Sequence, residues 1–191
     1  MGEEVDVIDP AGFRLKVRLD TVSAERVSGI IVDEQPHRPE PATQVTIAIA
    51  NLPAPALELV LSRCTEAGAH AFVVFQADRS VARGSKPERW MTICREAAML
   101  AGRLHVPEVT HAVSLDAVLP GASEPVMLVR GAETPLSAAA DHGDLTLLVG
   151  PEGGWTAREL ALVERKADLG PRNLRADTAA LVALAITLAS R

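Results

Sequence analysis

Three segments near the start of the chain, 4–9, 13–19 and 26–33, alternate apolar and polar residues around the turn Pro10-Ala11-Gly12. A period of two belongs to half-buried strands, so these segments predict a small antiparallel β unit over 1–34. The alternation stops at Glu34-Gln35-Pro36-His37-Arg38-Pro39-Glu40-Pro41. Its three prolines can continue neither helix nor sheet, and 35–43 reads as a linker. Beyond it the pattern changes. Apolar runs at 45–50, 71–75, 125–129 and 145–149 alternate with helical spacing at 55–67, 87–102, 156–167 and 177–190. Continuous apolar runs are strands buried on both faces, and helices between them predict an α/β fold with a mainly parallel sheet over 44–191. Segment 179–189 is apolar around most of its circumference, as expected of a helix held between the sheet and a second surface. A dimer partner would supply that surface.

Composition narrows the class. A chain of 191 residues can bury a sizeable core. Its two cysteines, Cys64 and Cys94, form no C-x-x-C pair and no disulfide framework, which favours a reducing compartment and core thiols. His37, His70, His105, His111 and His142 show no spacing suited to zinc, so no metal is expected. No charged-then-apolar leader opens the chain, and its most apolar run is too short to span a bilayer. A soluble cytoplasmic protein is expected.

The chemistry is concentrated in two glycine-bearing loops. In Leu147-Leu148-Val149-Gly150-Pro151-Glu152-Gly153-Gly154-Trp155-Thr156, an apolar strand stops in a turn and reopens as a helix. Three glycines leave main-chain amides uncovered and admit a flat or anionic ligand close to the backbone. Neither a Walker loop nor a dinucleotide fingerprint fits, because no Lys-Ser or Lys-Thr follows and no G-x-G spacing opens the turn. The alternative for this loop alone is an ordinary strand-to-helix turn. The second segment is Leu169-Gly170-Pro171-Arg172-Asn173-Leu174-Arg175-Ala176-Asp177-Thr178-Ala179-Ala180.

Together these segments resemble the C-terminal half of the RsmE family, the 16S ribosomal RNA uridine N3-methyltransferases of the SPOUT superfamily. Arg79-Ser80-Val81, Arg89-Trp90, Arg95-Glu96-Ala97-Ala98, Gly102-Arg103 and Val106-Pro107-Glu108-Val109 fall in the order of similar blocks in that family, so the resemblance covers roughly 44–190. It implies a SPOUT fold with a C-terminal trefoil knot, a homodimer, and an N-terminal PUA-like β-barrel that docks RNA. That family carries residues ahead of the point where this chain starts, so a partial PUA-like unit is expected.

The resemblance also implies that three loops hold S-adenosyl-L-methionine. Leu128, Arg130 and Gly131 belong to the first, Gly150, Pro151, Glu152, Gly153 and Gly154 to the second, and Leu169, Gly170, Asn173 and Leu174 to the third. Leu128, Leu169 and Leu174 would sandwich the adenine. For methylation at uridine N3, Arg172, Arg175 and Asp177 are the catalytic candidates, with Glu152 a second carboxylate: an arginine offsets charge on the uracil carbonyls and a carboxylate accepts the proton. Asp177 has a rival reading as N-cap of the last helix.

Net charge is −6, unusual for a protein that grips phosphates. Positive charge is nevertheless concentrated at Arg79, Arg83, Lys86, Arg89, Arg95 and Arg103. Of these, Arg79, Arg89, Arg95 and Arg103 are the expected contacts to 16S RNA of the small ribosomal subunit; a solvated helix face is the alternative. Asn173 stands where the family has an aliphatic residue, Asp177 where it has glutamate, and Asn51-Leu52-Pro53-Ala54-Pro55 lacks the family's lysines. These departures keep two further hypotheses open. One is a SPOUT methyltransferase with a changed RNA target; the other is a non-catalytic binding or assembly protein.

Overall fold

The computed structural model describes residues 2–139 and 143–189. Near the start, β1 (Glu4–Asp9), β2 (Phe13–Val22) and β3 (Val27–Pro36) form an antiparallel sheet with β2 in the middle. Phe13, Leu15, Val17 and Leu19 are half-buried on one face of β2, and Arg14, Lys16 and Arg18 are exposed on the other. The expected linker begins as strand, because β3 continues to Pro36, which pairs with Phe13. A proline has no N–H to extend the ladder, and the strand ends there.

The rest of the segment is tied down. Glu40 accepts from Arg103 Nε at 3.0 Å and from the amides of Leu104 and His105 at 2.9 and 3.1 Å. His37 Nε2 lies 2.6 Å from the Gly102 carbonyl, which can only accept, so that nitrogen carries the proton.

The larger sheet has six strands: β4 (Val45–Ala50), β5 (Ala71–Phe75), β6 (Glu108–Ala112), β7 (Val126–Leu128), β8 (Leu145–Val149) and β9 (Lys166–Ala167). Their spatial order is β6-β5-β4-β8-β7-β9, and every ladder is parallel. Helices α1 (Ala54–Glu66), α2 (Pro87–Leu100), α3 (Leu115–Val118), α5 (Ala157–Leu162) and α6 (Ala176–Ala189) accompany this sheet, with the short α4 (Leu136–Ala139) between β7 and β8. Both α1 and α2 open with proline in the first turn, where a missing N–H costs nothing. Each buries one stripe, Leu57, Val60, Leu61, Cys64 and Thr65 in α1, and Trp90, Ile93, Cys94, Ala97 and Ala98 in α2.

Alternation within the strands sorts the core into two layers. Ile47, Ile49, Leu145, Leu147 and Val149 pack with α1, α2, α4 and α6, whereas Ala48, Ala50 and Leu148 pack with α3 and the end of α5. Burying a Leu or Ile side chain fully is worth about 1.5–3 kcal/mol, so both layers hold the sheet. Helix α6 runs against α1, β4 and β8. The apolar pattern over 156–167 belongs to two elements. A helix ends at Leu162, Val163 turns extended, and Lys166–Ala167 joins the sheet as its edge strand.

Candidate functional site

The loops after β7, β8 and β9 meet at the carboxyl edge of the sheet around a cavity of about 540 Å³. This is where ligands sit in open parallel sheets, and the volume suits a small organic molecule. Its wall includes Leu128 and Arg130 from the first loop, Gly150, Pro151, Glu152 and Gly154 from the second, and Leu169, Arg172, Asn173, Leu174 and Arg175 from the third. Gly131, Gly153 and Gly170 belong to the same loops without lining the cavity. Gly131 and Gly170 take φ of +77° and +100°, where a side chain would be strained.

Arg175 stands between two carboxylates. Its Nη2 lies 3.5 Å from Asp177 Oδ2 and 3.9 Å from Glu152 Oε1, and its side chain remains 69% exposed. Asp177 is not on the cavity wall. Because α6 starts at Ala176, Asp177 sits inside the first turn and is not the N-cap of the rival reading; its Oδ1 accepts from the Thr178 amide at 2.7 Å. A carboxylate in the first turn favours the positive end of the helix dipole. The cavity therefore offers apolar walls at Leu128, Val149, Leu169 and Leu174, main-chain groups in three loops, and cations at Arg130, Arg172 and Arg175. An adenine-bearing cofactor with a charged tail fits such a set of groups.

A polar network braces the second loop from beneath. Thr156 and Glu159 form a capping box at the start of α5, and the buried Glu159 also accepts from the Asp78 amide at 3.0 Å. Arg158 bridges Asp78 and Asp116 at 2.8 Å each, and the hydrogen bond from its guanidinium holds both carboxyls below their usual range. The one sequence signal for this network is Thr156-x-x-Glu159, a capping-box spacing. Trp155, Asp168, Ala176 and Ala179 also line the cavity without having been foreseen.

The four arginines expected to face RNA are placed differently from one another. Arg79 is exposed beside the second loop, donating to Gly153 O at 2.9 Å. Arg95 is exposed on α2, and Arg89 pairs with Glu58 at 2.8 Å. Arg103 has to be removed from the set. Its side chain is 4% exposed and is spent on Glu40 and on the carbonyls of Thr65 and Ala69, so it cannot reach a phosphate. Among the described residues no cluster of three His, Cys, Asp or Glu is placed to hold a metal, and no helix is long and apolar enough to cross a membrane. His142 and Ser190 lie outside the described residues.

The family described as an RNA methyltransferase domain matches residues 38–188, which take in the parallel sheet and all three loops. The ribosomal RNA small subunit methyltransferase E of Bacillus subtilis is 31% identical over 205 residues, covering 96% of this chain and 80% of that protein. The protein of the same name from Mycobacterium bovis is 38% identical over 146 residues, covering 66% of this chain and 56% of its own. Among solved structures, ribosomal RNA small subunit methyltransferase E from Neisseria gonorrhoeae, bound to S-adenosyl methionine, superposes with a TM-score of 0.83 at 26% identity, covering 96% of this chain and 81% of that one. The chain belongs to the ribosomal RNA small subunit methyltransferase E family. It spans four fifths of the length of the Bacillus relative and little more than half that of the mycobacterial one.

Proposed function

We propose that this protein is an S-adenosylmethionine-dependent methyltransferase acting at N3 of a uridine in 16S RNA of the small ribosomal subunit. The observation that carries the reading is the convergence of three main-chain-rich loops on one cavity, with Arg175 standing between Glu152 and Asp177 at its edge. Family membership, and the cofactor in the gonococcal relative, support the choice of ligand.

When bound, S-adenosylmethionine supplies an electrophilic methyl group on a sulfonium. The chain's own residues do the rest. The leucines of the first and third loops take the adenine, and Arg172 and Arg175 offset negative charge on the uracil carbonyls as the N3 proton leaves. Asp177 or Glu152 accepts that proton, and the new N–C bond forms as the S–C bond breaks. Most of the rate enhancement comes from holding the two partners in line.

Several finer features belong to the same reading. The insertion of β8 between β4 and β7, with α6 laid against β4 and β8, supports a trefoil knot. The partly exposed apolar residues Leu181, Val182 and Leu188 of α6 support a homodimer through that helix. The three-stranded N-terminal sheet, with Arg14, Lys16 and Arg18 exposed, supports a PUA-like RNA-docking unit. Work on ribosomal RNA fits the cytoplasm.

The test is transfer of labelled methyl to small subunits lacking the mark, with the nucleoside identified by mass spectrometry. N3-methyluridine is expected, and Arg175→Ala should slow its formation on the order of 100-fold at saturating cofactor. Transfer to a different nucleoside would select a changed target. Cofactor binding without transfer to any RNA would select a non-catalytic protein.

A further inference from the structure

Trp155 follows the glycine pair of the second loop, and its edge lines the cavity. Its contacts reach the ends of β7, β8 and β5. The indole N–H donates to the carbonyl of Leu128, at the end of β7, over 2.9 Å. The ring lies so close to Gly150 that a Cβ there would stand 2.8 Å from Cε2, which only glycine avoids. Phe75, at the end of β5, lies parallel to the indole with ring centroids 6.1 Å apart.

We propose that Trp155 is a positioning residue for the cofactor pocket, its indole N–H setting the separation between the loops after β7 and β8. This deepens the functional reading above and rests on it for the identity of the ligand. Strand β7 has three residues, and the chain leaves it through a turn closed by Ala132 N to Val129 O at 3.2 Å and by Gly131 at positive φ. The Val129 amide is held by Ala167 in β9, but the Leu128 carbonyl is held by Trp155. Removing the indole donor leaves that carbonyl free on the cavity wall and removes the bond that ties the first loop to the second. The ring itself is engaged with Gly150 and Phe75, so it acts through Leu128 instead of moving to stack on an adenine.

Trp155→Phe keeps an aromatic ring against Phe75 and deletes the donor. Two measurements on the full chain test the proposal. Without any cofactor, amide hydrogen exchange at 129–132 should speed up about tenfold while 145–149 is unchanged. By calorimetric titration, the Kd for S-adenosylmethionine should rise about tenfold, the scale of one net hydrogen bond, with kcat at saturating cofactor within about twofold of wild type. A residue that only stabilised the fold would loosen β8 as well and leave the folded protein's Kd alone. Unchanged exchange at 129–132 overturns the proposal, and so does a Kd within twofold of wild type. Should Trp155→Phe fail to fold, benzothienylalanine incorporated at 155 replaces only the N–H, by sulfur, and is read by the same criteria. A wild-type protein that binds no S-adenosylmethionine would refute the functional reading, and the exchange measurement would still decide the role of Trp155.

Discussion

Glu40→Gln removes one charge from the segment that joins the two sheets. The carboxylate accepts from the Arg103 guanidinium and from two amides, and Arg103 is 4% exposed. Breaking a buried ion pair from one side costs about 3–5 kcal/mol, because the remaining charge is left desolvated. Arg103 keeps its bonds to the Thr65 and Ala69 carbonyls at 2.8 Å each, which lowers the expected loss to about 2–3 kcal/mol. For a protein of this size that is a fall in Tm of about 5–10 °C. Glu58→Gln is the control, since its partner Arg89 is 57% exposed and such pairs are worth under about 1 kcal/mol. The pH dependence has a definite sign. Burial pushes the Glu40 carboxyl up, but Arg103 and the amides of His105 and Leu104 outweigh it, so the folded value lies below the usual 4.5. A depressed carboxyl stabilises above its unfolded pKa, and that contribution is lost as pH falls through the folded value. Urea unfolding by circular dichroism should show the full difference between wild type and Glu40→Gln at pH 7 and a shrinking one below about pH 4.5. A difference under about 0.5 kcal/mol at pH 7, or one undiminished at pH 3, would refute the reasoning.

Burial pushes the Cys64 thiol up to about 12, and the Cys94 thiol is also raised, so neither should react with a disulfide reagent at pH 8 until urea unfolds the protein. Labelling of the native protein at the rate of a free thiol would contradict this. Glu159→Ala should cost about 2–3 kcal/mol and speed amide exchange over 157–160, because the Asp78 and Thr156 amides both lose their buried acceptor. A loss below about 0.5 kcal/mol would mean that water replaces the carboxylate.

The elements that were plain in the sequence are those with a single strong period. The runs that became β4, β5, β7 and β8 are apolar because both faces are covered, and α1 and α2 announce themselves by proline followed by an i, i+3, i+4 stripe. Strand β6 was missed: Glu108-Val109-Thr110-His111-Ala112 lies at the sheet's edge, and only Val109 is fully buried. The edge strand β9 has two residues, too few to show any period. In the site, glycine spacing was legible because backbone exposure needs glycine whatever surrounds it. Charge alone does not tell whether the Arg103 guanidinium faces solvent or the half-buried carboxylate of Glu40, more than sixty positions away. Trp155 stood in plain view, but its bond to the Leu128 carbonyl depends on two strands meeting in space.

The position of β8 has a consequence for how the chain is made. This strand lies between β4 and β7, yet it leaves the ribosome about 100 residues after β4. At synthesis rates of about 5–20 residues per second that delay is about 5–20 s, during which the edge of β4 with Val45, Ile47 and Ile49 has no neighbour on that side. Pairings so distant in sequence also fold slowly once the chain is complete. The nascent protein therefore presents an apolar strand edge that invites other chains, and production of soluble protein should depend on how quickly residues 145–149 are delivered to it.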